Sequence, residues 1–381
     1  MKQVQPFSIN IPQNILDELQ VRLKHTRLPD EKEGSGWEYG ANLAYMKDLM
    51  HYWEHSYNWR EQEAAMNKFS HFTADVKGTQ VHFIHEKGKG PNPIPLILTH
   101  GWPDSFYRFL KIIPMLTDPE KYGGRAEDSF DVIIPSVPGF GFSEKIALSQ
   151  GPVADLWASL MTETLGYDRF MAAGGDLGTG VVKELANRYP QHVTAIHLTD
   201  VGYPTGTENW AEMSPAEQQF GQYIQHWWMT EGAYNMIQST KPQTIAYALT
   251  DSPSGLAAWF IEKFYTWSAC KDNLDSHFSK DELLTNIMIY WVTGTAGSAA
   301  RMYLEVARSV YMNPAAQPAK RVEVPTAFAS FPGDAPVPRE WAERQVNLQR
   351  HTIMPEGGHF SAWEKPTLYA NDIRAFAQSF R

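Results

Sequence analysis

The pentapeptide Gly174-Gly175-Asp176-Leu177-Gly178 sets small residues around one carboxylate, between the apolar run Arg169–Ala173 and the helix-period segment Thr179–Arg188. That arrangement suits a sharp strand-to-helix turn presenting a reactive side chain, because larger neighbours would clash. Ser is the usual occupant, in G-x-S-x-G, and that pattern is absent from the chain, which argues against a serine nucleophile. A carboxylate in the slot can attack an electrophilic sp³ carbon and form an alkyl ester, which water must later cleave. The plainer reading of Asp176 is a helix N-cap. In either role the helix N-terminus favours its ionised form.

Other motifs supply what such chemistry needs. His100-Gly101-Trp102-Pro103 follows the apolar run Ile94–Thr99, at the loop that donates an oxyanion N–H in strand–turn–helix architectures. The backbone N–H groups of Trp102 and Leu177 are the expected oxyanion pair. Gly357-Gly358-His359-Phe360 puts a loop histidine after the last strand, and His359 is the expected base for water. Asp334, in Phe331-Pro332-Gly333-Asp334, is the expected orienting carboxylate, with Glu323, Glu340 and Glu356 as competitors.

These motifs need rigid elements beneath them. The first 70 residues read helical: Asn10 serves as N-cap, Pro12 suits the first turn, and Ile15, Leu16, Leu19 and Leu23 form a stripe, followed by a helical stretch over Leu43–Phe69. The period then changes to a strand around Val81–His85. Ile94–Thr99, Phe130–Pro135, Arg169–Ala173 and Val193–Thr199 are short apolar runs spaced by helical segments, which implies a mainly parallel sheet. Residues 203–312 break the pattern with aromatic, helical sequence. It resumes with Val324–Ser330, Leu348–Met354 and a closing helix, Trp363–Phe380, after a proline-bearing return linker, Asn313–Pro325. The expected architecture is an α/β core split by an inserted helical cap: 1–73 meander, 74–202 first core part, 203–318 cap, 319–381 second core part.

Composition narrows the function further. With 33 Lys+Arg against 43 Asp+Glu the chain carries a formal charge of −10, and no basic cluster suits nucleic acid. One cysteine, Cys270, excludes an intrachain disulfide and fits a reducing, cytoplasmic setting. No apolar run reaches the roughly 20 residues that cross a bilayer. His51-Tyr52-Trp53-Glu54-His55 has the H-x-x-E-H spacing of inverted zinc peptidases, but lacks an evident third ligand, so no metal or other cofactor is expected.

Together these residues resemble the microsomal type of epoxide hydrolase in the α/β-hydrolase superfamily. The likeness extends through Tyr52-Trp53, Asn58-Trp59-Arg60, Asn67-Lys68-Phe69, Val81-His82-Phe83-Ile84-His85, Val137-Pro138-Gly139-Phe140-Gly141-Phe142-Ser143, Gln238-Ser239-Thr240-Lys241-Pro242, Asp251-Ser252-Pro253 and Gly255-Leu256-Ala257-Ala258, in family order. The resemblance implies two cap tyrosines that donate hydrogen bonds to the epoxide oxygen. By local motif these are Tyr234 and Tyr303, the latter in Arg301-Met302-Tyr303-Leu304-Glu305. A phenol, with an ordinary pKa of about 10, is protonated at pH 7 and can stabilise an alkoxide.

Three departures from the family pattern are visible. Mammalian members carry an amino-terminal membrane anchor, whereas this sequence starts at the meander. Leu177 stands where the family usually has Trp. Asp334 stands where Glu is frequent. The expected partners are a small-molecule epoxide and water, without nucleic acid or membrane anchor; homodimerisation is compatible with the reading. The Trp-rich cap (Trp210, Trp227, Trp228, Trp259, Trp267, Trp291) points to a bulky aromatic epoxide walled by Trp102 and Trp228, in detoxification or secondary metabolism. The alternatives are a haloalkane dehalogenase, disfavoured because Leu177 cannot donate an indole N–H to halide, and a non-catalytic binding protein of the same fold.

Overall fold

In the computed structural model, which describes residues 4–206, 208–270, 273–310, 312–313 and 320–381, the apolar runs assemble into one nine-stranded sheet. Six strands are parallel: β4 (Ile94–Thr99), β5 (Phe130–Pro135), β6 (Phe170–Gly174), β7 (Val193–Leu198), β8 (Val322–Ser330) and β9 (Val346–Ile353). β1 (Gln5–Phe7), β2 (His71–Val76) and β3 (Thr79–Glu86) extend the sheet antiparallel beyond β5. Every residue of β5 and β6 is buried. Both faces of these strands are covered, which is why they read as continuous apolar runs rather than as alternation.

The spatial order β1-β2-β3-β5-β4-β6-β7-β8-β9 reverses direction at β4. Such a reversal opens a crevice beyond the carboxyl ends of the strands. The loops after β4 and β6 flank it. Thr99 pairs with Gly174 in register, so His100-Gly101-Trp102-Pro103 and Asp176 leave the sheet side by side.

The mainly parallel sheet and the helical interruption agree with the sequence reading; several local details differ. β1 lies in the stretch read as wholly helical, and at three residues it is too short to show a period. Leu43–Phe69 is two helices, Leu43–His55 and Trp59–Met66, because the Asn58 side chain accepts the Arg60 N–H and caps a new start. The first helix begins at Gln13 after Pro12, not under an Asn10 cap. Pro366 divides the closing segment into Ser361–Glu364 and Pro366–Ala377, since proline cannot continue the preceding hydrogen-bond ladder.

Between β7 and β8, the described residues form six helices of eight or more residues: Pro215–Thr230, Ala233–Thr240, Pro242–Asp251, Pro253–Trp267, Lys280–Thr293 and Ala296–Val310. Ser214 with Glu217 and Ser279 with Glu282 form capping boxes that start two of them. In Lys280–Thr293 every residue from Leu283 to Tyr290 is buried. No amphipathic stripe is expected of a helix enclosed all round. It binds the core directly: Asn286 Nδ2 donates to the Pro103 carbonyl at 2.8 Å and Tyr290 Oη to the Asp104 carbonyl. Residues 314–319 of the expected return linker, and with them the expected boundary at 318/319, lie outside the described residues. No helix among the described residues is long and apolar enough to cross a membrane.

Candidate active site

Asp176 sits at φ +57°, ψ −132°, in a region that side-chain-bearing residues rarely adopt. Such strain typically costs about 1–3 kcal/mol and persists only where the surroundings enforce it. Here three close approaches do so. A Cβ on Gly101 would lie 2.3 Å from Asp176 Oδ1, and one on Gly178 would lie 2.2 Å from the Thr99 carbonyl oxygen. The Asp176 N–H donates at 2.9 Å to Oδ2 of buried Asp200, which fixes the turn from beneath.

The Asp176 side chain makes no capping bond to its own helix, which removes the plain N-cap reading. Instead Oδ1 accepts the Trp102 N–H at 2.9 Å, and Oδ2 lies 3.5 Å from His359 Nε2. Burial would raise this carboxyl; the pull of His359 and of the Leu177 and Trp102 N–H groups outweighs it and holds Asp176 below the ordinary carboxylate range.

His359 and Asp334 are brought together by backbone. Gly333 and Gly358 form a parallel bridge beyond β8 and β9, with the Gly333 N–H donating to the Gly357 carbonyl at 2.9 Å. His359 Nδ1 then lies 3.3 Å from Asp334 Oδ2. Of the competitors, Glu323 pairs with Arg321 and Glu356 with Lys365 on the surface, and Glu340 is exposed. Burial alone would depress the imidazole, but the charges of Asp334 and Asp176 overcome it and raise His359 well above its ordinary value. His359 Nε2 faces Asp176 and makes no hydrogen bond among the described residues.

The cap supplies the opposite wall. Tyr234, on Ala233–Thr240, stacks on the Trp102 indole with centroids 5.0 Å apart and planes 5° apart. Tyr303, on Ala296–Val310, meets Tyr234 edge-on at 5.9 Å and Trp102 at 5.9 Å. Both phenols are buried, and burial reinforced by the Asp176 charge raises them above the ordinary tyrosine value. Trp227 and Trp267 complete the aromatic group around Tyr234, at 6.4 and 5.1 Å. Trp228 does not join it. That indole is partly exposed against Trp227 and Gly232, so neighbouring Trp227, one helical step round, takes the position expected of Trp228.

Several supporting residues escape sequence patterning. Asp104 accepts the Gly101 N–H and pairs with buried Arg108, whose guanidinium donates to the His359 carbonyl at 3.0 Å. Glu364 accepts the N–H groups of Gly358 (3.1 Å), Phe360 (2.9 Å) and Ala269 (3.0 Å), so one carboxylate grips both neighbours of His359 and the chain just past the cap helix Pro253–Trp267. The i,i+4 spacing of Asp104 and Arg108 is a readable signal; Glu364 offers none.

The comparisons with known proteins agree with this geometry. Residues 4–109 match the family described as epoxide hydrolase N terminus, and residues 94–268 the alpha/beta hydrolase fold. Epoxide hydrolase 1 of Sus scrofa is 38% identical over 98% of this chain and 88% of its own length. The chain belongs to the epoxide hydrolase family. A Stigmatella aurantiaca protein provisionally named an epoxide hydrolase is 40% identical over 99% of the chain and 86% of its own length. The juvenile hormone epoxide hydrolase of the silkworm Bombyx mori superposes with a TM-score of 0.85 at 28% identity, covering 100% of this chain and 95% of that one. As a member of the family the chain is an enzyme, a hydrolase of epoxides.

The H-x-x-E-H segment lies on the helix Leu43–His55, where His55 Nδ1 is engaged by the His51 carbonyl at 2.9 Å. Among the described residues no group of three His, Cys, Asp or Glu side chains is placed to hold a metal ion.

Proposed function

We propose that the epoxide is opened through a covalent Asp176 ester and that the preferred substrate is a bulky, aromatic epoxide. One observation carries the mechanism. A strained-turn carboxylate is held ionised, with one oxygen on the Trp102 N–H and the other facing a carboxylate-paired histidine.

In the first step Asp176 Oδ2 bonds to an epoxide carbon as the C–O bond breaks. The released oxygen takes a proton from Tyr234 or Tyr303, leaving a tyrosinate. Forming the ester removes the Asp176 charge, which is one of the two charges holding His359 high. With that charge gone the imidazolium gives up its proton to solvent, and the neutral ring, steadied by Asp334, is a competent base. It takes a proton from water as the hydroxide oxygen bonds to the ester carbonyl carbon. The Trp102 and Leu177 N–H groups stabilise the resulting oxyanion, a stabilisation of typically about 3–4 kcal/mol per donor. Collapse expels the diol oxygen, which His359 protonates; the proton of the regenerated Asp176 acid returns to the tyrosinate. Epoxide and water are consumed and one vicinal diol is released.

For the substrate, support comes from the rings: Trp102, Tyr234, Trp227 and Trp267 pack into one aromatic group that adjoins the reacting carboxylate at Trp102. Aromatic pairs of this kind contribute about 0.5–1.5 kcal/mol beyond area burial.

The test is to replace His359 with Gln, expose the variant to styrene oxide and measure intact mass. A protein heavier by one substrate, with the added mass on the peptide holding Asp176, is expected; unmodified protein after prolonged exposure would overturn the covalent reading. For the substrate class, kcat/KM for styrene oxide is expected to exceed that for propylene oxide by tenfold or more, about 1.4 kcal/mol. Equal values would overturn it.

A further inference from the structure

Lys263 lies on the cap helix Pro253–Trp267 with only 6% of its surface exposed, and no role in the chemistry above uses it. Its ammonium is 2.7 Å from Glu262 and 3.1 Å from Glu231. It also sits 5.1 Å from the centroid of the Tyr234 ring and 5.5 Å from that of Trp267. Both rings belong to the site. Tyr234 stacks on Trp102, while the Trp267 carbonyl accepts the His359 N–H at 2.9 Å and its indole meets the His359 ring at 5.2 Å.

We propose that Lys263 is a positioning residue for ring opening: it fixes the Tyr234 phenol through a cation–π contact with the ring and an ion pair to Glu231 in the turn before that helix. This rests on the donor role assigned to Tyr234. Glu231 lies between the helices Pro215–Thr230 and Ala233–Thr240, three residues before Tyr234. Lys263 therefore holds that tyrosine at two points, its ring and its backbone entry.

Charge balance distinguishes orientation from direct stabilisation of a tyrosinate. Glu231 and Glu262 bring two negative charges to the single positive charge of Lys263, so the cluster as a whole does not favour an anionic phenol. Glu231 in fact raises Tyr234, keeping it a donor. What remains for Lys263 is geometry. The cation–π contact restrains a ring whose phenol must meet the epoxide oxygen, and a misplacement of about 1 Å in a reacting group can cost about 10²-fold in rate.

The two chemical steps separate a positioning role from a structural one. Pre-steady-state mixing with styrene oxide, followed by tryptophan fluorescence and quench, reads alkylation and ester hydrolysis separately. In Lys263→Met alkylation is expected to fall tenfold or more, about 1.4 kcal/mol, with ester hydrolysis within twofold of the parent. Lys263→Arg, which keeps the cation, should recover most of the alkylation rate. Glu231→Gln, which loosens the second anchor while leaving the ammonium, should slow alkylation less, and it carries the test if Lys263→Met fails to fold. Parent-like alkylation in a folded Lys263→Met, or equal slowing of both steps, overturns the proposal. An unmodified enzyme that never accumulates an ester would instead overturn the covalent reading beneath it.

Discussion

The two walls of the site are built on opposite physical terms. The core wall is ionic and held by backbone. Asp176 rests on the Trp102 N–H, Gly333 and Gly358 bridge the loops of Asp334 and His359, and Glu364 grips both neighbours of His359. The cap wall presents neutral groups to the site: Tyr234 and Tyr303 are buried phenols packed against Trp102 and Trp267, with the Lys263–Glu231 ion pair behind Tyr234. The contrast assigns charge formation and charge acceptance to different halves. In the proposed mechanism, carboxylates and imidazole on the core side make and cleave an ester, and protonated phenols on the cap side receive the oxygen that ring opening releases.

Substitutions on the two walls should therefore fail at different steps. The largest effect belongs to Asp176→Asn, which removes the nucleophile; turnover should fall by about 10⁴-fold or more, with no adduct in intact mass. Asp334→Asn should lower ester hydrolysis by roughly 10²–10⁴-fold, since an imidazole without its carboxylate loses orientation and charge support. Alkylation should change far less, so ester accumulates. On the cap wall, Tyr234→Phe and Tyr303→Phe should each slow alkylation by about 10²-fold, leaving hydrolysis of a preformed ester near normal. The double variant should lose considerably more. Equal slowing of both steps by a cap substitution would break the division.

A pH series sharpens the same contrast. Asp176 is held below the ordinary carboxylate range, so alkylation should persist as pH falls through the range where free carboxyls protonate. Ester hydrolysis needs neutral His359, and Asp334 still favours the imidazolium once the Asp176 charge is gone. Hydrolysis must therefore fail first on acidification, and ester should build up as pH falls from above the ordinary imidazole value of about 6.5 to the ordinary carboxylate value of about 4. Coincident acid limbs for the two rates would contradict this. The smallest expected effect is that of Glu364→Ala, which leaves the buried N–H groups of Gly358 and Phe360 and the half-buried one of Ala269 without their acceptor. Stability should drop by about 1–3 kcal/mol, read by urea denaturation, with hydrolysis slowed more than alkylation.

This same division tracks what the sequence makes legible. Core-wall residues announce themselves because each stands in a Gly-bearing loop after a strand: Asp176 after β6, Trp102 after β4, His359 after β9. Asp334 is visible for the same reason, and only the backbone bridge of Gly333 to Gly358 selects it over Glu323, Glu340 and Glu356. Cap-wall residues carry no such mark. Tyr234 and Tyr303 lie in ordinary helices among 17 tyrosines, and family likeness alone singles them out. Trp228 was the expected wall, yet Trp227 faces Tyr234, because neighbouring residues on a helix point about 100° apart. Buried partners such as Asp200, Glu364 and Lys263 are hidden for a further reason. Asp200 reaches Asp176 across 24 residues, Lys263 reaches Glu231 across 32 and Glu364 reaches Ala269 across 95, and no local period encodes those contacts.

The most direct test of the central claim is the fate of oxygen. A single turnover in oxygen-18 water, with enzyme in excess over epoxide, asks where the new hydroxyl originates. An Asp176 ester predicts a diol without heavy oxygen in that first turnover and heavy oxygen in the peptide that holds Asp176. Heavy oxygen in the first-turnover diol, with an unlabelled Asp176 peptide, would mean that water attacks the epoxide directly and would contradict the covalent mechanism.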